Sequence, residues 1–248
     1  MRHRGIDVSH HNGAVDWERV KASGVEFAMI RSGFGWDNDR QIDRQFKANA
    51  AGCLTGGIPF GFYHYSYAMS PEDALHEARW FLRVIQDFRP EYPVAFDFDE
   101  KAQLALPLDV QVNIIRTFMD EVRRTGYYTL LYMSGSAISR LYAYAPDVMG
   151  AYDAWVARWG ADNAGYAGSF GMWQYDVAGA GSIPGVAGKC DMNYAYKDYP
   201  EMIKAQGLNG WNHSTPIPEG HDPDIRQAYN ALIRDLHALV EKYGSIIK

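Results

Sequence analysis

Four aspartates stand out because each lies inside, or at the exit of, a short apolar run that favours a buried β-strand. They are Asp7, Asp97, Asp99 and Asp191. Strand interiors avoid aspartate, since an ionised side chain loses its hydration there. Four such residues at the same end of successive strands would form an acidic pocket. A pocket of that kind has the chemistry needed to cleave glycosidic bonds.

Asp97 and Asp99 are two residues apart, so a regular strand would place both on one face, with Cα atoms ~6.6 Å apart. Glu100 would point to the other face unless the strand has already bent. Glycosidases use one carboxyl as proton donor and a second to attack or stabilise the sugar cation, ~5–5.5 Å apart for retention and ~6.5–9.5 Å for inversion. Cα spacing leaves both outcomes open. Crowded carboxylates do not all ionise cheaply, so at least one pKa should be raised.

Two other interpretations of the acidic residues are a metal-binding cluster and a set of core salt bridges. The adjacent His10 and His11, together with His64, are possible metal ligands. Adjacent side chains on a strand diverge, however, and no spaced ligand set is visible. We therefore expect no metal and no cofactor, and we expect Arg31 to be a buried counter-ion for the carboxylates.

Composition excludes some functions. The chain has 248 residues, 47% of them hydrophobic, and a net charge of −6, which gives no support to nucleic-acid binding. No apolar run approaches the ~20 residues of a membrane span. Cys53 and Cys190 fit no metal spacing. The first residues show no apolar signal segment, which predicts either release by another route or removal of a signal.

Strand and helix patterns alternate along most of the chain. This alternation implies parallel strands with crossover helices. It predicts an α/β fold for residues 1–206, a modified TIM-like barrel of about five βα units and three further strands, closed at roughly eight strands. Helices are predicted at 16–22, 40–51, 70–88 and 109–125. Strands are predicted at 4–8, 25–31, 58–64, 93–98, 128–133, 154–157 and 171–175, with a last one around Asp191.

The tail has a different composition. Residues 207–223 are rich in Gly, Pro, Asn and His and predict a linker or strap. Residues 224–248 carry apolar residues at three- and four-residue spacing, which predicts an amphipathic C-terminal helix. This helix must bury its apolar stripe, either on its own barrel or against a second copy of the chain in a homo-oligomer.

Several motifs, taken in order, resemble glycoside hydrolase family 25, the Chalaropsis-type lysozymes of phage endolysins, bacteria and fungi. The resemblance covers about residues 4–205. No single motif is decisive, but their order is specific. The matching segments are Gly5–Ser9, Asn12–Gly13, Val15–Trp17, Gly24–Gly35, Asp43–Phe46 with Asn49, Gly61–Ser66, Trp173–Tyr175, Pro184–Gly185 and Asp191–Asn193.

The resemblance implies hydrolysis, with retention, of the β-1,4 bond between N-acetylmuramic acid and N-acetylglucosamine in bacterial peptidoglycan. Asp7, Asp97 and Asp191 match the acidic positions of the family. The second family motif is Asp-any-Glu, with Glu as general acid, whereas this chain has Asp97-Phe-Asp99. Asp97 would be the nucleophile or would orient the 2-acetamido group of the sugar. Asp7 and Asp191 would tune the charge.

Asp99 is one methylene shorter than the glutamate of the family motif, and a ~1 Å misplacement of a catalytic group can cost ~100-fold in rate. Three interpretations of the site therefore remain. Asp99 donates the proton from a rebuilt pocket, Glu100 swings in through a bulge, or the site binds glycan and cuts it poorly. We favour the first, since strand alternation places Asp99 on the working face. Candidate substrate walls are Tyr63, Tyr65, Tyr132, Trp155 and Gln174.

The hypothesis at this point is a cofactor-free muramidase of the endolysin type. Such an enzyme would wait in the host cytoplasm and reach the cell wall through a membrane hole made by another protein, or it would be secreted if a signal had been removed. The alternatives are a non-catalytic or weakly active peptidoglycan-binding module of the same fold and a glycosidase acting on chitin-like chains.

Overall fold

The computed structural model describes residues 2–36 and 38–211. These residues up to Trp211 form one compact unit. The predicted C-terminal helix, and most of the predicted linker, lie outside the described residues. None of the described helices has the length and apolar character needed to cross a membrane.

Eight strands close into a barrel in chain order, so the predicted closed barrel is confirmed. The helices surround it, five βα units come first, and three more closely spaced strands follow. The strands are β1 His3–Val8, β2 Phe27–Phe34, β3 Phe60–Tyr65, β4 Val94–Asp97, β5 Thr129–Ser134, β6 Asp153–Ala157, β7 Met172–Ala178 and β8 Cys190–Ala195. The helices are α1 Trp17–Ala22, α2 Phe46–Gly56, α3 Pro71–Ile85, α4 Lys101–Leu104, α5 Leu108–Arg124, α6 Gly135–Tyr144, α7 Pro146–Met149 and α8 Tyr199–Ala205.

Strand β8 differs from the expected parallel arrangement. It pairs antiparallel with both β7 and β1, whereas each strand from β1 to β6 pairs in parallel with the strand that follows it in the chain. The start of β8 therefore lies at the barrel mouth, where the other strands end. Asp191, the second residue of β8, is for this reason the direct cross-strand neighbour of Asp7.

Two hydrophobic clusters hold the barrel together. The larger one packs the strands against the surrounding helices, and the smaller one fills the barrel interior with Phe27, Met29, Leu130, Trp155 and Met172. Tyr199 and Ile203 of α8 belong to the interior cluster, so α8 closes the end opposite the mouth. Each such buried side chain contributes ~1.5–3 kcal/mol. Gly5 is required here, because a Cβ at this position would lie 2.4 Å from the Phe27 ring.

The helix predictions differ from the structure at the start of α2 and in the helices that were not predicted. Residues 39–41 form a 3-10 turn capped by Asn38, and α2 begins only at Phe46, because Ile42 bridges Gly33 of β2 in between. The sequence analysis missed four of the described helices, α4, α6, α7 and α8. Two of them, α6 and α7, begin without a side-chain cap hydrogen bond, and α4 and α7 have only four residues each, which is too short for a periodic signal. By contrast, α3 begins where Ser70 and Pro71 predicted, with Ser70 Oγ accepting from the Asp73 amide.

Candidate active site

A cavity of about 720 Å³ opens at the mouth of the barrel. It is bounded by side chains from the carboxyl ends of the parallel strands and from the start of β8. Its lining comprises Asp7, Ser9, His10, His11, Asn12, Arg31, Phe34, Tyr63, Tyr65, Tyr67, Asp97, Tyr132, Trp155, Trp159, Gln174, Val177, Lys189 and Asp191. The structure thus brings three of the four sequence-selected aspartates into one hollow.

Asp7 is buried among neutral amides. Its Oδ2 accepts hydrogen bonds from Gln174 Nε2 at 2.9 Å and from Asn193 Nδ2 at 2.8 Å. Burial first, and the negative charge of Asp191 second, raise the pKa of Asp7 to about 7, although the two amide bonds oppose this change. Burial also raises the pKa of Asp191. The pair can therefore hold a proton near neutral pH.

Asp97, the last residue of β4, lies between Tyr65 of β3 and Tyr132 of β5 in the sheet register. Its Oδ1 is buried and has no hydrogen-bond partner among the described residues. Burial, followed by the charges of Asp99 and Asp7, raises the pKa of Asp97 well above its usual range. A buried carboxyl oxygen without a partner is costly, and it is a group that a bound ligand would satisfy.

Asp99 and Glu100 diverge as the chain leaves β4. Asp99 turns toward β5, where its Oδ1 accepts from the Ser134 amide at 3.0 Å. Burial raises the pKa of Asp99, and the Ser134 hydrogen bond opposes this change. Glu100 Oε1 accepts from the Tyr65 hydroxyl at 2.8 Å, while its Oε2 caps α4 at the Lys101 amide. Neither residue is among those lining the cavity, so the expected convergence of all four aspartates holds for three.

All five predicted wall residues line the cavity, namely Tyr63, Tyr65, Tyr132, Trp155 and Gln174. Several of them are framework rather than exposed surface. Trp155 is 1% exposed and its Nε1 donates to Asn193 Oδ1. Gln174 Oε1 accepts from the Tyr132 hydroxyl and from Trp159 Nε1, both at 2.9 Å. Gln174 thereby connects the cavity rim to Asp7.

The expected role of Arg31 needs correction. Arg31 Nε donates to Asp43 Oδ2 at 2.9 Å, so its direct partner is Asp43 rather than the site carboxylates. The His10 amide donates to the same oxygen at 3.0 Å. Arg31 nevertheless acts at a distance, because its charge partly opposes the raised pKa of Asp97. The sequence analysis missed Asp43 because a partner 12 residues away carries no local signal.

His64, considered above as a possible metal ligand with His10 and His11, is not among the residues that line the cavity. It is fully buried between the barrel and the helices, with Nε2 3.3 Å from Glu77 Oε2. Within residues 2–36 and 38–211, no group of three or more His, Cys, Asp or Glu side chains could hold a metal ion.

The sequence analysis also missed part of the cavity rim. Phe34, Tyr67, Lys189 and the 3-10 turn His10–Asn12 all contribute to the lining. Asn12 Nδ2 donates to the Lys189 carbonyl at 2.7 Å, which ties this turn to the loop before β8. These residues lie at strand ends or in loops. The one sequence signal that could have indicated them is the presence of aromatic and basic residues directly after predicted strands.

A closed barrel with buried carboxyls of raised pKa at the carboxyl ends of its strands defines the class of barrel glycosidases. The Glyco_hydro_25 model, glycosyl hydrolases family 25, matches residues 6–186. The chain belongs to this family and is a glycoside hydrolase, and the resemblance found in the sequence is confirmed.

Three known proteins illustrate the similarity. The autolytic lysozyme of Clostridium acetobutylicum is 27% identical over 240 residues, which is 96% of this chain and 66% of that protein. The chain thus spans about two thirds of the length of this relative. The catalytic domain of endolysin ply40 from Listeria monocytogenes bacteriophage P40 is 26% identical, with a TM-score of 0.63 over 82% of this chain and 98% of that one. The bacterial lysozyme of Streptomyces coelicolor, 23% identical, shares the fold with a TM-score of 0.67 over 84% of this chain and 98% of that one.

Proposed function

We propose that this protein is an N-acetylmuramidase that hydrolyses the β-1,4 bond between N-acetylmuramic acid and N-acetylglucosamine in bacterial peptidoglycan. One observation carries the proposal: Asp7, Asp97 and Asp191 share one sugar-sized cavity, and each has a raised pKa. Family membership and the similarity to an autolytic lysozyme and an endolysin catalytic domain support it.

The proposed reaction retains configuration. Asp99 gives its proton to the glycosidic oxygen, the bond from that oxygen to the anomeric carbon breaks, and the leaving sugar departs with a new hydroxyl. The anomeric carbon is then bonded either by the Asp97 carboxylate or by the acetamido oxygen that Asp97 orients. A water molecule then attacks the anomeric carbon from the face that the leaving sugar vacated, the bond to Asp97 or to the acetamido oxygen breaks, and the proton of the water returns to Asp99.

Asp99 is favoured over Glu100 as the donor for two reasons. Burial raises the pKa of Asp99, which favours the protonated form that a proton donor needs. Glu100 is engaged by the Tyr65 hydroxyl and by the α4 amide that it caps. Asp99 accepts from the Ser134 amide outside the cavity lining, so its side chain has to turn toward the mouth to reach the glycosidic oxygen.

The basic side of the cavity favours a muramyl substrate over a chitin-like one. N-acetylmuramic acid differs from N-acetylglucosamine by a lactyl group that carries a carboxyl. Arg31, His10, His11 and Lys189 all belong to the cavity lining. Asp43 offsets the charge of Arg31. Lys189 has no ion pair within the described part of the chain, so its ammonium group can meet a substrate carboxylate.

The short side chain of Asp99 favours a second candidate, a peptidoglycan-binding module with little or no activity. Incubation with purified cell walls separates the two functions. A muramidase lowers the turbidity of the suspension and releases reducing ends that are muramic acid. A binding module sediments with the walls and leaves the turbidity unchanged, and N-acetylglucosamine at the new reducing ends would refute the proposed bond specificity.

The donor is tested by a matched pair of isosteric variants. We expect Asp99→Asn to lower kcat by about 10²–10⁴-fold and Glu100→Gln to keep most of the activity. The measurement is initial rate on solubilised glycan strands, with circular dichroism to check folding. The reverse ranking of the two variants would assign the proton to Glu100.

A further inference from the structure

Two aromatic side chains at the cavity rim are half exposed, unlike most of the large aromatic residues in the described chain. Tyr67 is 50% exposed and Trp159 is 55% exposed, and both line the cavity. Exposed aromatic rings are normally left with rotational freedom at the surface. Here a hydrogen bond holds the Trp159 ring itself, and another holds the backbone amide of Tyr67.

The Trp159 ring is held by β7. Its Nε1 donates to Gln174 Oε1 at 2.9 Å, and the flanking Gly160 amide donates to the Tyr175 carbonyl at 3.0 Å. The Arg158 amide similarly donates to the Gln174 carbonyl. The loop after β6 therefore continues the sheet pairing and presents the indole as a fixed surface.

Tyr67 is held on the other side of the mouth, after β3. Its backbone amide donates at 2.8 Å to Oε1 of Glu77, a fully buried residue of α3. Its ring packs edge-on against Tyr65 at 5.3 Å and Phe34 at 6.1 Å between ring centroids. One oxygen of this buried carboxyl group thus holds the loop that carries the ring, while the other lies 3.3 Å from His64 Nε2.

The barrel topology places these rings on opposite sides of the mouth. In a closed barrel of eight strands in chain order, β3 and β7 are diametrically opposed. A line from Tyr67 to Trp159 leaves Asp7 and Asp191, on β1 and β8, on one side and Asp97, on β4, on the other. A glycan along this line would thus pass between Asp97 on one flank and the Asp7–Asp191 pair on the other.

We propose that Tyr67 and Trp159 are stacking platforms for two N-acetylhexosamine rings of one glycan strand, on either side of the bond that is cut. The proposal rests on the proposed function and adds the path of the substrate: the strand crosses the mouth from the β3 side to the β6–β7 side. The apolar C–H face of a sugar ring packs on the face of an aromatic ring. Binding away from the reacting bond then contributes to the chemical step, because it fixes the strand between the carboxyls.

Binding is tested directly in the Asp97→Asn background, with a purified (N-acetylglucosaminyl–N-acetylmuramic acid)₂ tetrasaccharide as the probe. We expect Tyr67→Ala and Trp159→Ala each to weaken its Kd by about tenfold. Tyr144→Ala is the matched control, since Tyr144 is 53% exposed on α6 and does not line the cavity. Equal affinities of the Trp159→Ala and Tyr144→Ala proteins would overturn the proposal.

Trp159→Phe separates stacking from positioning. It keeps an aromatic ring but removes the hydrogen bond to Gln174. We expect it to retain most of the affinity that Trp159→Ala loses. A loss as large as that of the alanine variant would mean that Trp159 acts by holding Gln174, and the stacking role would be wrong.

Wall hydrolysis by the unmutated protein distinguishes this proposal from the function on which it rests. If walls are not cut but the tetrasaccharide binds through both rings, the muramidase proposal fails and the platforms stand. If walls are cut and the kcat/KM of Tyr67→Ala and Trp159→Ala on glycan strands equals that of Tyr144→Ala, the platforms fail and the muramidase stands.

Discussion

The aspartate side chains at the two ends of the barrel differ in whether a cation and hydroxyl groups compensate their charge. At the closed end, Asp153 at the start of β6 is surrounded by partners: its Oδ2 lies 2.8 Å from Lys197 Nζ and accepts from the hydroxyls of Tyr199 at 2.9 Å and Tyr128 at 3.1 Å. At the mouth, Asp7 has only neutral amide donors, and Asp97 Oδ1 has no partner among the described residues.

This difference separates a structural carboxylate from candidate catalytic ones. The fold compensates the charge of Asp153 with a cation and two hydroxyls, which makes it part of the packing beneath the barrel. It leaves the mouth carboxyls without a directly bonded cation, and burial raises the pKa of Asp7 and of Asp97. Buried carboxyl groups with raised pKa values destabilise the fold, and they are typical of catalytic sites. The same isosteric change, Asp to Asn, therefore has three different expected outcomes at these positions.

The largest effect is expected at Asp97. Asp97→Asn should lower kcat on glycan strands by about 10²–10⁴-fold, because the group that bonds or orients the reacting sugar loses its charge. The fold should remain intact, since the substitution removes a buried carboxyl that lacks a compensating partner on Oδ1. Single-turnover kinetics and thermal unfolding measure the two properties. A variant with near-normal kcat would remove Asp97 from the mechanism.

Asp7→Asn should stabilise the protein at alkaline pH. The folded-state pKa of Asp7 is about 7, above the ~3.9 of an unfolded chain. The wild type therefore loses stability as pH rises from about 4 to about 7. We expect the variant to gain on the order of 2–4 kcal/mol at pH 8, and this gain should vanish below pH 4. Urea unfolding across this pH range measures it, and a pH-independent difference would contradict the prediction.

Asp153→Asn should lower the free energy of unfolding, which is the opposite of the effect expected for Asp7→Asn. The change leaves the Lys197 ammonium without its partner carboxylate and weakens the acceptor for two tyrosine hydroxyls. We expect a loss of about 1–3 kcal/mol in the free energy of unfolding, with kcat of the folded protein unchanged. Urea unfolding is paired with an activity assay well below the midpoint. A large loss of kcat without loss of stability would place Asp153 in the functional class.

The smallest effect concerns Gln174, which donates to Asp7. Gln174→Met removes a hydrogen bond that favours the ionised carboxyl, so the pKa of Asp7 should rise above about 7. Tyr132→Phe is the control, because it removes a hydrogen bond to Gln174 while leaving the Asp7 bond in place. Carboxyl chemical shifts followed by NMR titration report the change. An equal response in both variants would mean that the amide of Gln174 does not tune Asp7.

Local sequence patterns were sufficient to predict the alternating strands and helices of the barrel. Alternating apolar strands and amphipathic helices predicted the barrel, and polar residues inside apolar runs selected Asp7, Asp97 and Asp191, which meet in the cavity. The signal was strong because an aspartate in a strand violates a general preference. Helix α6, whose N-cap residue Ser134 makes no side-chain capping hydrogen bond, was not predicted.

Contacts between distant segments were beyond the reach of the sequence. The antiparallel direction of β8, the pairing of Arg31 with Asp43 and the role of Gln174 in joining Trp159 to Asp7 depend on residues far apart in the chain. The alternation rule placed Asp99 beside Asp97 on one face. The chain bends at the exit of β4 instead, and Asp99 bonds to the end of β5.

The sequence by itself determined which residues could form strands and which carried chemistry at their ends, because hydrophobic periodicity and misplaced charges are local properties of the chain. Only the tertiary structure decided which of those charges are compensated. Burial and the distance to the nearest cation set the pKa of a carboxyl, and both arise when the barrel closes and brings β1, β4, β7 and β8 to one mouth.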